Sequence, residues 1–158
     1  MSLPKITQPV YNIVVPSIKK KSQFRPFLVK EEKLLLMAKE SNTPSDILTA
    51  IKQVINNCSL NDSLDIDKLP IFDLEYLFLK IRAASVDNIV KVAYKDFEDE
   101  QEYKFEIDLN KVEVKFPTKN DPNIKISNKA GIVMHYPMAD LYDDKEFLNL
   151  RSEEYTSE

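Results

Sequence analysis

Glycine is nearly missing from this chain: Gly131 is the only one in 158 residues. Loops that cradle phosphate need several glycines so that the backbone can approach the anion. Nucleotide sites of the P-loop or Rossmann kind are therefore excluded. Cysteine is as scarce. Cys58 stands alone and cannot form an internal disulfide, which fits a reducing compartment. His135 is the only imidazole, and one Cys with one His falls short of the roughly four ligands that zinc takes. No metal or cofactor signature emerges. No apolar run approaches the roughly 20 residues that span a bilayer. The first 21 residues carry Pro4, Pro9 and Pro16 and no unbroken apolar stretch, so they do not read as a signal peptide.

Hydrophobic residues make up 43% of the sequence, enough to build one real core in a chain of this length. The net charge is −4, unevenly spread: residues 1–40 hold eight Lys/Arg against three Asp/Glu, and residues 41–158 hold 14 against 23. The ordinary meaning of such a split is solvated surface. The sharper one is a basic N-terminal patch, Lys19, Lys20 and Lys21 with Arg25, that docks on an acidic partner. Nucleic acid is a poor fit, because the whole chain is acidic and no basic stripe is interleaved with aromatics.

Residues 10–15 are rich in β-branched side chains and read as a strand, with Pro16 and Ser17 turning the chain so that residues 19–24 return antiparallel. Pro26 holds Arg25 out of helical geometry. A first helix then covers residues 30–40, with Glu31 and Glu32 in its first turn, where free N–H groups favour negative charge. A second helix opens at Thr43, a good N-cap, with Pro44 at N1 and Asp46 placed for a capping box. Its apolar positions are Ile47, Ile51, Val54, Ile55 and Cys58, at helical spacing. A third helix runs from about Pro70 to Ser85 and is apolar nearly all round, so it packs on more than one side or meets a partner. The period then switches to two. Val90, Val92 and Tyr94 alternate, as do Tyr103, Phe105, Ile107 and Leu109, and Val112, Val114 and Phe116. Residues 96–101 form the acidic turn between the first two of these strands. Residues 124–126 and 131–136 are two further short strands, and a terminal helix is expected over 138–151. The fold class is α+β in a single domain spanning 1–158: an N-terminal hairpin arm (1–28), a helical part (29–86), antiparallel strands (87–136), and a terminal helix and tail (137–158). The helical and sheet parts are expected to be layers of one core.

Candidate chemistry is thin. Cys58 and His135 would have to pair as thiolate and imidazolium to act, but Cys58 continues an apolar helix face and free cysteine is among the most buried residues. Asp96, Glu98, Asp99, Glu100 and Glu102 are dense, yet a calcium loop needs set spacing and a glycine at its sharp turn, and Phe97 interrupts the run. Asp140, Asp143 and Asp144 suit the first turn of a helix. A carboxylate pair for acid–base hydrolysis leaves no mark in sequence, so a carboxylate-based cell-wall hydrolase stays a rival reading, as does a small protein-binding adaptor.

The wording of two long stretches, residues 4–38 and 67–86, is distinctive, and the likeness resumes over residues 128–137. The first contains Arg25-Pro26-Phe27-Leu28-Val29-Lys30-Glu31-Glu32, and the second Asp67-Lys68-Leu69-Pro70-Ile71-Phe72-Asp73. In these the chain resembles the T4-type bacteriophage baseplate hub proteins. The resemblance implies a hub subunit or assembly chaperone at the tip of a contractile tail, without a reaction or cofactor. Its implied partners are other phage hub proteins, not nucleic acid or membrane, and its implied location is the host cytoplasm during assembly or the virion baseplate. It carries over no catalytic residues. Relatives are usually longer beyond the position of Glu158. Some bear paired cysteines near the turn that here holds Phe97 and Gln101, so a metal-stabilised turn does not transfer. A hub component should show an apolar helix face ringed by charge. Tyr76 and Leu79, flanked by Arg82, are the expected partner-facing residues of the third helix.

Overall fold

The computed structural model describes residues 8–41, 43–61, 64–98, 100–117 and 121–142. Strands β1 (Tyr11–Val15) and β2 (Lys20–Phe24) form an antiparallel hairpin. Alternation turns Ile13, Val15, Ser22 and Phe24 inward, as period-two geometry requires. Helices α1 (Val29–Ser41), α2 (Pro44–Cys58) and α3 (Ile71–Ser85) follow, with a 3-10 turn at Ile66–Lys68 before α3. Val15, Phe24, Val54, Ile55, Cys58, Leu74, Leu77 and Ile81 are each at most 1% exposed and belong to one cluster. Each large aliphatic member contributes roughly 1.5–3 kcal/mol by leaving water.

The expected N-cap of α2 is present in a variant form. Thr43 has extended backbone, but its hydroxyl donates to the Asp46 carboxylate at 2.5 Å instead of accepting from a backbone N–H. The buried face of α2 is turned from the expected one: Leu48, Ala50, Val54, Ile55 and Cys58 are inside, while Ile47 is exposed. Ile47 sits at the lip of an apolar groove of about 290 Å³, shared with Pro44, Ile51, Ile71 and Leu74. The helix turns its face towards α1 as well as α3, and both pack against it.

The rest of the α+β fold is strand pairs. β3 (Ile89–Lys95) pairs with β4 (Glu102–Asp108), and β5 (Asn123–Lys125) with β6 (Gly131–Val133), both antiparallel. The six strands of the described residues make three separate two-stranded sheets, not one continuous sheet. Residues 112–116 are not a strand. Val112 and Val114 are half-buried and Glu113 and Lys115 exposed, so the alternation marks extended chain that finds no ladder partner. Phe116 instead joins Phe72 of α3 and Tyr136 in an edge-to-face triplet with ring centroids 5.1–6.4 Å apart. The expected strand over 131–136 closes at Val133. The expected terminal helix begins as a 3-10 turn, Ala139–Tyr142, and the rest of it lies outside the described residues.

The layered core is also corrected. The main cluster draws on the β1–β2 hairpin, α2, α3, the turn before α3 and Ala139, with Leu34 and Leu35 of α1 packed against it, and contains no residue of β3, β4, β5 or β6. The β3–β4 hairpin is fastened at its base. Leu109 is buried, its N–H donates to Asn88 at 2.8 Å, and Lys80 of α3 donates to the carbonyls of Leu109 and Asn110 at 3.1 and 2.8 Å.

Candidate functional site

The linker of residues 25–28 is tied to all three helices. Pro26 has no N–H to satisfy, and each of the others finds a partner. The Arg25 N–H donates to the Cys58 carbonyl at the end of α2 (2.9 Å). The Phe27 N–H donates to Ser85 Oγ at the end of α3 (2.8 Å), and the Leu28 N–H to Glu31 Oε2 in the first turn of α1 (2.8 Å). Glu31 stands at N3 and reaches back to the residue preceding the helix, which is half of a capping box. Its carboxylate also takes two bonds from Arg25, Nη2 to Oε1 at 3.0 Å and Nη1 to Oε2 at 3.3 Å. Glu31 is 0% exposed and the Arg25 side chain 12%. Burial pushes the Glu31 carboxyl up, but the Arg25 guanidinium, the Leu28 N–H and the Lys30 ammonium together hold it below its ordinary value. Arg25 is raised, chiefly by its bond to Glu31. Arg25, expected at a partner surface, has its guanidinium committed inward.

The basic turn is held from beneath. The Ser17 N–H donates to Asp73 Oδ1 at 3.0 Å and its hydroxyl to Oδ2. Asp73, in the first turn of α3, is fully buried, and burial raises its carboxyl above the usual range while the Ser17 bonds work against the rise. Above this anchor Lys19, Lys20 and Lys21 are exposed, and Lys19 turns the chain with a φ of 51°. Tyr76, Leu79 and Arg82 are half-buried on α3. Tyr76 packs against the core cluster with the Lys80 ammonium 5.2 Å from its ring centroid. The expected site residues thus sit on three elements: an exposed lysine turn on the hairpin, half-buried residues on α3, and an arginine in the linker that is bound to Glu31.

A family model described as T4 bacteriophage base plate protein matches residues 8–157. The chain belongs to that family. No curated protein and no solved structure matches it.

In this base plate protein the two residues nearest to chemistry lie in different surroundings. Cys58 is 0% exposed, with Arg25 Nη1 3.8 Å and the Pro26 carbonyl 3.9 Å from its sulfur. Burial pushes the thiol up to about 11, so the reactive thiolate is suppressed. His135 is exposed in the segment after β6. The acidic turn is solvated, with Asp96 Oδ1 accepting from the Glu98 N–H at 2.9 Å. Among the described residues no group of three or more His, Cys, Asp or Glu is placed to hold a metal. We expect Cys58 in the native protein to resist a disulfide thiol reagent at neutral pH and to react once denaturant is added. Cys58→Ala should cost roughly 1 kcal/mol for a small cavity. Rapid labelling in native buffer would contradict the buried position.

Sequence reasoning missed Glu31 as the partner of Arg25 and Asp73 as the anchor of the basic turn. The signal for Glu31 was present: Glu at N3 after an extended Pro-containing linker is half of a capping signature. Nothing local marks Asp73, whose partner is 56 residues away.

Proposed function

We propose that the chain is a non-enzymatic subunit or assembly factor of the baseplate hub of a contractile phage tail, acting by binding other phage baseplate proteins. Its place is the host cytoplasm during assembly or the tail baseplate. Membership of the base plate family supports the setting. The observation that carries the binding role is the lysine turn. Lys19 and Lys21 stand exposed on a hairpin whose inner face is buried and whose turn is clamped to Asp73. A charged patch on a rigid support loses little freedom on docking and steers encounter with an acidic surface. Tyr76, Leu79 and Arg82 of α3 are the second contact we assign.

Co-expression with each candidate hub protein, followed by size-exclusion chromatography with mass measurement, tests the role. A stable complex with at least one hub protein is the expected result, and failure with all of them refutes it. Lys19→Asn combined with Lys21→Ser should leave the fold unchanged, since Asn accepts the left-handed backbone and exposed charges add little stability. It should slow association and flatten its salt dependence. A double variant that associates as fast as the parent at both low and high salt would remove the turn from the interface.

A further inference from the structure

The register of β3 and β4 opposes Val90 to Ile107, Val92 to Phe105 and Tyr94 to Tyr103. Directly opposed residues project from the same face, so all six share one side of the hairpin. The other side carries Lys91, Ala93, Lys95, Glu102, Lys104 and Glu106, with Lys91 and Glu106 paired across the strands at 3.8 Å. The charged side is the solvent side. Yet the apolar side is open too: Val92, Tyr94, Tyr103, Phe105 and Ile107 are 41–55% exposed. A two-stranded hairpin with an apolar face in water is marginal by itself and becomes stable when that face is packed.

We propose that this face packs on the same face of a second copy of the chain, so that two hairpins related by a two-fold axis form a small four-stranded sandwich. Aromatic side chains bury about 150–250 Å² each when covered, so half-exposed Tyr94, Tyr103 and Phe105 offer on the order of 100 Å² apiece. With Val92 and Ile107 the face supplies roughly 400–450 Å² per copy, and the pair reaches about 800–900 Å², the size of a weak, concentration-dependent contact. The face bears no charged side chain, so self-packing buries no unpaired charge, and both layers can approach to the usual sheet spacing of about 10 Å. The charges stay on the outer faces and at the tips. Between Asp87 and Asp108 three lysines stand against eight carboxylates, so two copies repel weakly at long range. That fixes the sign of the salt effect: salt screens the repulsion and tightens the pair, whereas docking on a basic partner would be weakened by salt.

Sedimentation of the full chain across a concentration series tests this. The mass should rise from 18.3 kDa towards twice that value, and the dissociation constant should fall as sodium chloride is raised. Phe105→Glu should weaken the pair by about tenfold or more, as loss of a central aromatic anchor does, while Lys91→Ser on the outer face leaves it unchanged. Tyr94→Lys, at the end of the ladder beside the turn, takes the place of Phe105→Glu if circular dichroism shows that variant unfolded. A chain that stays monomeric at every concentration overturns the proposal, as does a dimer indifferent to Phe105→Glu and Tyr94→Lys, or one that salt dissociates. Binding to hub proteins is a separate measurement, and its failure leaves this result standing.

Discussion

Arg25→Ala is expected to remove about 3–5 kcal/mol of stability, because it strands the fully buried Glu31 carboxylate without its cation. Total stabilities of single domains run to about 5–15 kcal/mol, so one substitution takes a large share. The loss is cooperative in origin. The guanidinium holds the first turn of α1, lies against the thiol at the end of α2, and donates to the Pro26 carbonyl at 2.9 Å. Replacing both partners, Arg25→Met with Glu31→Leu, should cost much less than either single change, since apolar replacement of a buried pair is often close to neutral. The Leu28 N–H would still lose its acceptor, so some deficit remains. Urea unfolding of the four proteins in a double-mutant cycle measures the coupling. Single variants within about 1 kcal/mol of the parent would contradict the buried pair, because only exposed ion pairs are that weak.

Acidity gives the same test a sign. Glu31 has a folded pKa below its ordinary value, so its contribution is present above the unfolded carboxyl value and lost as pH falls through the folded one. Without Arg25, burial becomes the dominant influence and the carboxyl is pushed up. The variant then gains relative stability on acidification, and the gap between parent and Arg25→Ala should narrow as pH drops. Asp73 works in the opposite sense. Burial raises its pKa, so the stability that it contributes is fully present below the unfolded value and declines as pH rises through the folded one. Asp73→Asn should remove that decline while keeping an acceptor for Ser17.

Local periodicity made the helices and the hairpins legible. Lys20–Phe24 and Glu102–Asp108 fall within a residue or two of where alternation placed them, and α2 opens at the Thr43-Pro44 step. What periodicity cannot carry is the neighbour. Val112, Val114 and Phe116 alternate as well as any strand does, but a strand needs a ladder partner and that segment has none. Ile47 and Leu48 are equally apolar, and only the placement of α1 and α3 decides that Leu48 goes in. Arg25 reads as surface charge because Glu31 is six positions on, across a linker whose course is set by the ends of α2 and α3. The separate surfaces were legible as composition, in the lysine run and the aromatic strands, but not as geometry.

The sharpest contrast between pattern and packing is Phe24 against Phe105. Both are strand phenylalanines in alternating segments. Phe24 is 1% exposed and lies in the main cluster, bridged to Ser59 beyond α2. Phe105 is 53% exposed and outside that cluster. Phe24→Ala should cost about 3–5 kcal/mol, the loss of a large buried ring plus the cavity it leaves. It should also loosen the whole β1–β2 hairpin, since Phe24 is one of four inward side chains in that hairpin. Phe105→Ala in dilute, monomeric protein should cost under about 1 kcal/mol, because surface truncations rarely exceed that. At high protein concentration the Phe105 variant should fall behind the parent, whose unfolding midpoint rises with concentration if paired copies are present. Thermal unfolding of both variants at two concentrations separates the cases. Equal losses for Phe24→Ala and Phe105→Ala in dilute protein would mean that the β3–β4 hairpin shares the core after all.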